Sequence, residues 1–304
     1  MNTLTYLVSL ITADNDYQLE QAAAAETTAH QLGINTRVIY AGGDSIEQSQ
    51  QLLNIIQSRT APLPTAMVVE PAGSTALPKV AEAAARAGIG WVLLNHDAAY
   101  LSELRNRYTV PICAVSADHT AIGRLQGRQL AALLPRGGTI LYIQGPSSSS
   151  AASQRLSGIY QIKSTLLELK ILKAANWTEA GGYQAISSWL RLSTSHEEKI
   201  ALVAAQNDLI AHGAKKAFDM LTQGPERDRW LSLPFIGIDG LPKTGQSWVR
   251  DRVFAATVVV PPLTPYALKL LVEATHRSVQ PPEHTLIPPE SFPSIEALSK
   301  KGEV

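Results

Sequence analysis

The sequence predicts an α/β protein in which parallel sheets are covered by helices on both faces. Short apolar runs alternate with amphipathic helical patterns along almost all of the 304 residues, and buried parallel strands have this character. Hydrophobic residues make up 45% of the chain and charged residues 17%, which is enough apolar surface for a core. Because single cores stop growing at about 250–300 residues, the length favours two lobes.

Strands are predicted where short apolar runs are bounded by glycine, proline or polar residues. Parallel neighbours need a crossover between them, usually a helix, so the runs should be separated by helical segments. The predicted strands are Thr5–Ile11, Arg37–Tyr40, Ala66–Val69, Trp91–Leu94, Val110–Val115, Thr139–Ile143, Ile171–Ala175, Ile200–Ala205, Pro234–Ile238 and Phe254–Val260.

Helices are predicted where apolar residues recur at helical spacing, and Gly33 is a typical C-terminal stop for the first of them. The tail from Gln280 to Pro293 contains five prolines and is predicted to run extended. The predicted helices are Tyr17–Leu32, Ser45–Ser58, Leu77–Ala87, Thr120–Leu134, Ala151–Leu167, Gly182–Leu192, Leu209–Leu221, Lys243–Arg250 and Thr264–Ser278.

Charge balance and missing motifs exclude several classes of function. Because 26 Lys and Arg balance 26 Asp and Glu, the sequence offers no basic surface for phosphate backbones, and no nucleic-acid partner is expected. Phosphate-loop, nucleophile-elbow and zinc-protease motifs are absent, and the first strand ends in Thr12–Asp16 instead of dinucleotide-binding glycines. The one cysteine, Cys113, lies in an apolar run and the seven histidines lack ligand spacing, so no cofactor or metal is expected.

Polar and aromatic residues follow several predicted strands, and doubly wound sheets bind ligands beyond the carboxyl ends of their strands. The candidate ligand-binding residues are Asn15, Tyr17, Gln18, Glu70, Asn95, His96, Arg155, Trp177, Asn207 and Asp239. Each also has a purely structural interpretation. Asn207–Asp208 could be a helix cap, Asp239–Gly240 a tight turn, Trp177 a core aromatic and Arg155 a solvated helix residue.

Three parts of the sequence carry a resemblance to a known family: Ala205–Ala214, Phe235–Gly240 with Phe254–Val258, and Ile143–Pro146 with Ala151–Gly158. Together they resemble the type 1 periplasmic sugar-binding proteins, the ribose-binding-like group that shares its fold with the ligand-binding core of LacI-type repressors. The resemblance covers the chain from Tyr6 to about Pro289.

The resemblance implies two Rossmann-like lobes with parallel sheets, joined by a three-strand hinge, with the ligand bound in the cleft between them. It assigns residues 1–117 and 262–285 to one lobe and residues 118–261 and 286–304 to the other.

The resemblance also implies a role for most of the candidate residues. Asn15 would contact sugar hydroxyls, while Tyr17 and Trp177 would stack on the two faces of a sugar ring. Arg155 and Asp239 would form charge-assisted hydrogen bonds. Asn207 would offer its side-chain amide to the ligand.

Four departures from the family pattern argue against ribose itself. Asn95 and His96 stand where ribose-type binders have Asp-Arg, Glu70 replaces an asparagine, Gln18 replaces an aromatic residue, and Val260 replaces a glutamine. The ligand could be another pentose, a hexose, a polyol or another polar metabolite. An imidazole at His96 beside Glu70 could also make binding sensitive to pH.

The function implied by the resemblance is non-catalytic binding of a small sugar or polyol with hinge closure. The partner would be the membrane permease of an ABC transporter, or a signalling receptor, and the protein would be a monomer. The alternative is the effector-sensing domain of a LacI-type regulator or signalling protein. An α/β enzyme would need an acid/base pair among Glu70, Asp97 and Asp239, but no nucleophile motif accompanies these carboxylates.

The location depends on what precedes the first strand. Met1 is followed within a few residues by the first predicted strand, without the basic and apolar regions of an export signal. We therefore expect a periplasmic protein if an export signal has been removed, and a cytoplasmic protein otherwise.

Overall fold

The structure is a computed structural model that describes residues 4–73, 77–96 and 98–302. The chain divides into two compact units and passes between them three times. Unit 1 consists of the residues up to Ala117 together with Pro262–Ile287, and unit 2 of Asp118–Pro261 together with the residues from Pro288 onwards. The last passage follows Ile287, where the sequence-based assignment has residue 285, because a strand of unit 1 continues to Ile287.

Each unit contains one six-stranded sheet. The strands are β1 (Thr5–Leu10), β2 (Asn35–Tyr40), β3 (Ala66–Val69), β4 (Gly90–Leu94), β5 (Ile112–Ala117), β6 (Gly138–Gln144), β7 (Leu167–Lys173), β8 (Ile200–Ala205), β9 (Phe235–Asp239), β10 (Ala256–Val259), β11 (His284–Ile287) and β12 (Glu290–Phe292). The strand order is β11-β5-β4-β3-β1-β2 in unit 1 and β12-β10-β9-β8-β6-β7 in unit 2. All neighbours are parallel except β12, which pairs antiparallel with β10.

Helices connect the strands within each unit. They are α1 (Asp16–Leu32), α2 (Ser45–Ile56), α3 (Pro78–Arg86), α4 (Tyr100–Arg107), α5 (His119–Leu133), α6 (Ser150–Ile162), α7 (Glu179–Leu190), α8 (Asp208–Leu221), α9 (Gly224–Ser232), α10 (Gly245–Arg250), α11 (Thr264–Arg277) and α12 (Ile295–Gly302). None of the helices in the described ranges is both long enough and apolar enough to cross a membrane.

The alternation of side chains along each strand buries both faces of the sheets. In unit 1, Tyr6 and Val8 of β1 pack in a cluster with α1 and α11, whereas Leu7 packs with α2, α3 and α4 on the other face. Cys113 lies buried in the first cluster, where desolvation raises the pKa of its thiol to about 12. It is a packing residue, as the sequence predicts, and the predicted α/β class with two lobes of mainly parallel strands is confirmed.

Several element bounds differ from the prediction because helical spacing continues beyond the real end of a helix. The predicted helix Ala151–Leu167 ends at Ile162, and β7 begins at Leu167 instead of Ile171. The segment from Leu167 alternates apolar and polar residues and pairs in register with β6, which a helix would not allow.

Three helices are missing from the prediction: α4, α9 and α12. Helices α4 and α9 are polar, with only Leu101 and Leu104 buried in α4 and only Trp230 buried in α9, so their apolar stripes are too narrow to recognise. The tail runs extended through β11 and β12 and then forms α12, whose Leu298 is buried in unit 2.

Helices α5 and α6 contact each other backbone to backbone, and the contact joins the first turns of α5 to the middle of α6. A Cβ atom at Gly158 would overlap the carbonyl oxygen of Thr120, and one at Gly123 would overlap the carbonyl oxygen of Arg155. Only glycine allows two helices to approach this closely, so both positions are constrained by packing and not by a turn.

Gly158→Ala should therefore destabilise unit 2, because the two backbones must separate to make room for a methyl group. We expect the free energy of unfolding to fall by about 2 kcal/mol, since overpacking outweighs the gain in helix propensity of about 1 kcal/mol. Urea denaturation followed by circular dichroism measures the change. Ser157→Ala, at the exposed neighbouring position, is the matched control and should stay within about 0.5 kcal/mol of wild type. Equal stability of the two variants would contradict the described contact.

Candidate functional site

The carboxyl ends of β1, β3 and β4 place a buried carboxylate among side-chain amides in unit 1. Glu70 is 4% exposed, and its Oε2 accepts a hydrogen bond from Gln18 Nε2 at 2.9 Å while its Oε1 accepts one from Asn95 Nδ2 at 2.8 Å. Burial raises the pKa of Glu70, and the hydrogen bonds from Asn95 and Gln18 together with the nearby His96 act in the opposite direction. The structure thus brings three other predicted residues, Gln18, Asn95 and His96, together around the carboxylate of Glu70.

Both amides that contact Glu70 are themselves fixed by the backbone. Gln18 Oε1 accepts from the backbone N–H of Ile11 at 2.9 Å, and Asn95 Oδ1 accepts from that of Ala117 at 3.5 Å. Asn95 also has a positive φ of 56°, a conformation that asparagine tolerates better than most residues. Gln18 and Asn95 therefore act within unit 1 as partners of Glu70.

Gln48 belongs to the same cluster, although the sequence gives no sign of it. Its Nε2 donates to Ser9 Oγ at 3.0 Å and to the carbonyl oxygen of Glu70 at 2.9 Å. Its Oε1 accepts from the backbone N–H of Ala72 at 2.8 Å. The residue is fully buried on α2 and ties the ends of β1 and β3 together.

The remaining predicted residues of unit 1 lie close by. Asn15 caps α1, and its Oδ1 accepts from the backbone N–H groups of Tyr17 and Gln18 at 2.9 and 3.3 Å. Its amide nitrogen forms no hydrogen bond with the described part of the chain, so it remains available as a donor. Tyr17 is half-buried in the first turn of α1, and His96 Nδ1 lies 3.1 Å from the carbonyl oxygen of Leu94.

In unit 2, Arg155 and Trp177 form a cation–π pair beside the carboxyl end of β6. The guanidinium carbon of Arg155 lies 5.4 Å from the centroid of the Trp177 ring, and Arg155 is only 6% exposed. The guanidinium donates to the carbonyl oxygen of Gln206, and its Nε lies 3.4 Å from Nδ1 of His119. A Cβ atom at Gly145 would overlap the Trp177 ring, so this glycine lets the ring lie against the backbone.

Asn207 orders this pair in addition to capping α8. Its Oδ1 accepts from the backbone N–H of Ile210 at 2.8 Å, and its Nδ2 donates to the carbonyl oxygen of Trp177 at 3.0 Å. The cap interpretation of Asn207 is therefore right. One of its two amide hydrogens is already engaged with Trp177, which leaves at most one for the ligand contact implied by the resemblance.

Asp208 is a buried carboxylate that the candidate set lacks. It is 2% exposed, and its Oδ1 accepts from Thr257 Oγ1 at 2.8 Å while its Oδ2 accepts from the backbone N–H of Gly240 at 2.7 Å. Cβ atoms at Gly237 or Gly245 would overlap the carboxylate, so glycine at these positions makes room for it. In the sequence Asp208 is recognisable only as part of a helix cap. The glycines that enclose its carboxylate, Gly237, Gly240 and Gly245, lie about 30 residues further along the chain.

Asp208 and Asp239 influence each other electrostatically. Burial first, and the charge of Asp239 second, raise the pKa of Asp208 well above its usual range, while the contacts with Thr257 and Gly240 and the charge of Arg155 oppose this. Asp239 has a φ of 107°, an unusual conformation for a non-glycine residue at the end of a strand. Asp97 lies outside the described residues, and within the described ranges no group of His, Cys, Asp and Glu side chains is placed to hold a metal ion.

Doubly wound α/β units that gather polar and aromatic side chains at the carboxyl ends of parallel strands are typical of ligand-binding proteins, and this chain contains two. The family model of the periplasmic binding protein domain matches residues 6–273, so the chain belongs to this family. The resemblance seen in the sequence is confirmed.

The chain is similar to sugar-import proteins over most of its length. The D-apiose import binding protein of Actinobacillus succinogenes is 24% identical over 253 residues, covering 82% of this chain and 73% of that protein. The ribose import binding protein of Bacillus subtilis is 24% identical over 255 residues, covering 84% of this chain and 75% of that protein.

A solved structure shows the same fold. A periplasmic solute-binding protein of an Actinobacillus succinogenes ABC transporter, with bound D-allose, matches with a TM-score of 0.82 at 20% identity, covering 98% of this chain and all of that one.

Asp208→Asn tests whether the buried carboxylate is a source of pH-dependent instability. A carboxyl whose pKa is higher in the folded than in the unfolded state loses stability as the pH rises from the unfolded value through the folded one. Asparagine can still accept from Gly240 and can donate to Thr257 Oγ1. We expect the variant to be more stable than wild type at pH 8 in urea denaturation, with a smaller difference at pH 4.5.

Asp228→Asn, at an exposed position of α9, is the control and should stay within about 0.5 kcal/mol of wild type at both pH values. A stability difference for Asp208→Asn that is constant between pH 4.5 and pH 8, or larger at pH 4.5, would contradict the described environment.

Proposed function

We propose that the protein is a non-catalytic receptor for a small sugar or polyol, and that it serves the permease of an ABC importer. The observation that carries the proposal is the pair formed by Arg155 and Trp177 at the carboxyl ends of the strands of unit 2. A sugar has apolar ring faces and a rim of hydroxyl groups, so an aromatic ring next to a planar cationic donor matches it chemically. Family membership and the apiose- and ribose-binding relatives support the same class of ligand.

Unit 1 would supply the complementary contacts. Asn15 has an amide nitrogen available for a hydroxyl oxygen, and Tyr17 is a half-buried aromatic residue next to it. Glu70 can accept from a ligand hydroxyl in addition to its two amide donors, since a carboxylate offers about four acceptor positions. Asp239 would act as the acceptor of unit 2.

Catalysis is not required of these carboxylates. Both oxygens of Glu70 are held by Gln18 and Asn95, and both oxygens of Asp208 are held by Thr257 and Gly240. Each carboxylate thus has a structural role that accounts for its burial. We infer that the protein binds its ligand and releases it unchanged.

The mechanism that we propose is hinge closure. A ligand contacted by residues of both units gains interactions in a closed form that it lacks in an open form, and only this difference can shift the population. The closed form would then bind the permease as a monomer on the periplasmic side of the membrane. The location follows from the proposed transport role.

Calorimetric titration tests the proposal. Protein that has been unfolded, dialysed and refolded to remove copurified ligand should bind at least one compound from a panel of D-ribose, D-apiose, D-allose, xylitol and myo-inositol. We expect D-ribose not to be the strongest ligand, because Asn95 and His96 replace the charged pair of ribose-type binders. Folded protein that gives no heat with any sugar or polyol, and that copurifies with none by mass spectrometry, would refute the sugar-receptor function.

Trp177→Ala should weaken binding of the best ligand by at least about tenfold, because loss of the aromatic ring removes about 1.4 kcal/mol or more of stacking. Trp177→Phe should restore most of the affinity. Tyr160→Ala, which removes an exposed aromatic side chain of the same unit, is the matched control and should leave the affinity unchanged. If Trp177→Ala bound as tightly as Tyr160→Ala, the proposed stacking role would be wrong.

A further inference from the structure

Unit 2 contains a cavity at the amino-terminal ends of β9 and β10, at the opposite end of the sheet from the candidate site. Its volume is about 340 Å³, and it is lined by residues from three segments. One is Leu231–Phe235, which leads into β9, another is Val249 with Arg252–Ala255, which leads into β10, and the third is Lys215 on α8. None of these residues takes part in the proposed sugar contacts.

Lys215 is a half-buried cation in this cavity that forms no direct ion pair with the described residues. Its ammonium nitrogen lies 4.5 Å from the centroid of the Phe235 ring and 3.4 Å from the carbonyl oxygen of Leu231, which is a long contact. Within the described ranges it forms no ion pair; Asp219, one turn further along α8, is paired with Arg227. Burial lowers the pKa of Lys215, and the charge of Asp219 acts in the opposite direction.

Arg252 is the second cation that lines the cavity. It is an exposed residue with a φ of 62°, a conformation that non-glycine residues adopt rarely. Its backbone N–H donates to the carbonyl oxygen of Val249 at 3.2 Å. Its guanidinium forms no hydrogen bond or ion pair with the described part of the chain, so its five donors remain available.

The rest of the wall combines apolar side chains with polar groups such as Ser232. Phe235 and Phe254 are buried, and Leu233, Val249 and Val253 are partly buried around them. A cavity that combines apolar side chains with two cations offers contacts for a hydrocarbon body and ion pairing for one charged group. Small-molecule sites generally measure about 300–1,000 Å³, so this cavity has room for a compound with a single ring.

We propose that this cavity is a second ligand site, which binds a small organic carboxylate with an apolar body. The carboxylate would pair with Lys215 and with Arg252, and the body would pack against the partly buried side chains of Leu233, Val249 and Val253. An anion would give Lys215 the direct ion pair that it does not form with the described residues. The proposal is independent of sugar binding, because its residues lie at the other ends of the strands.

Benzoate is the probe for this site, and benzyl alcohol is its neutral analogue. Ligand-observed and protein-observed NMR titrations of the full chain should show benzoate binding with shifts at Phe235 and Val253, and benzyl alcohol binding at least tenfold more weakly. Lys215→Met keeps the length of the side chain and removes the charge. It should weaken benzoate binding at least tenfold and leave the affinity for benzyl alcohol unchanged.

Lys216→Met is the matched control, because Lys216 is the adjacent lysine of α8 but is exposed and pairs with Glu179. It should bind benzoate like wild type. Circular dichroism checks that both variants are folded, and sugar titration of the same samples should give equal affinities. Absence of benzoate binding to wild type, equal affinity for benzyl alcohol, or equal losses in Lys215→Met and Lys216→Met would each overturn the proposal.

Discussion

The burial of one carboxylate at the carboxyl ends of the strands is the constraint on which the local structure of each unit depends. A carboxylate removed from water must receive hydrogen bonds, or its burial destabilises the fold. In unit 1 Glu70 receives them from side-chain amides, and in unit 2 Asp208 receives them from a hydroxyl and a backbone N–H group. The two units thus meet the same requirement with different chemistry.

The solution in unit 1 uses long polar side chains. Gln18 and Asn95 donate to the carboxylate of Glu70 and Gln48 donates to its backbone carbonyl oxygen, and all three also bond to backbone or hydroxyl groups of other strands and loops. Loss of any one of these amides would leave buried polar atoms without partners. In unit 2 the space around Asp208 is created by glycines, so the backbone itself encloses the charge.

Much of the fold was predictable because apolar runs mark buried parallel strands directly. The bounds predicted for β3 and β8 agree with the structure, Ala66–Val69 and Ile200–Ala205. The bounds of α6 were not predictable from periodicity, since Leu166 and Leu167 continue its apolar spacing although the chain has already turned towards β7. The polar helix α9 was missed because Trp230 is its one buried residue.

The candidate site was predictable where a residue lies between the end of a strand and the first turns of the next helix. Asn15 and Asn207 lie at such junctions and are helix caps, and Asn207 also donates to the carbonyl oxygen of Trp177. Gln48 and Asp208 lie in helices, and most of their partners are far along the chain, such as Glu70 for Gln48 and Thr257 for Asp208. A local sequence pattern cannot predict these hydrogen bonds, because they join residues that come together only when the strands pair.

The glycine contact between α5 and α6 has a mechanical consequence. Asp118, the first residue of unit 2, caps α5, and α5 is held against α6 through Gly123 and Gly158. Arg155 lies on α6 at this contact, and α5 begins where the chain enters unit 2. The close contact therefore couples the backbone at Arg155 to the segment by which the chain enters unit 2, so a shift of α5 is passed on to α6.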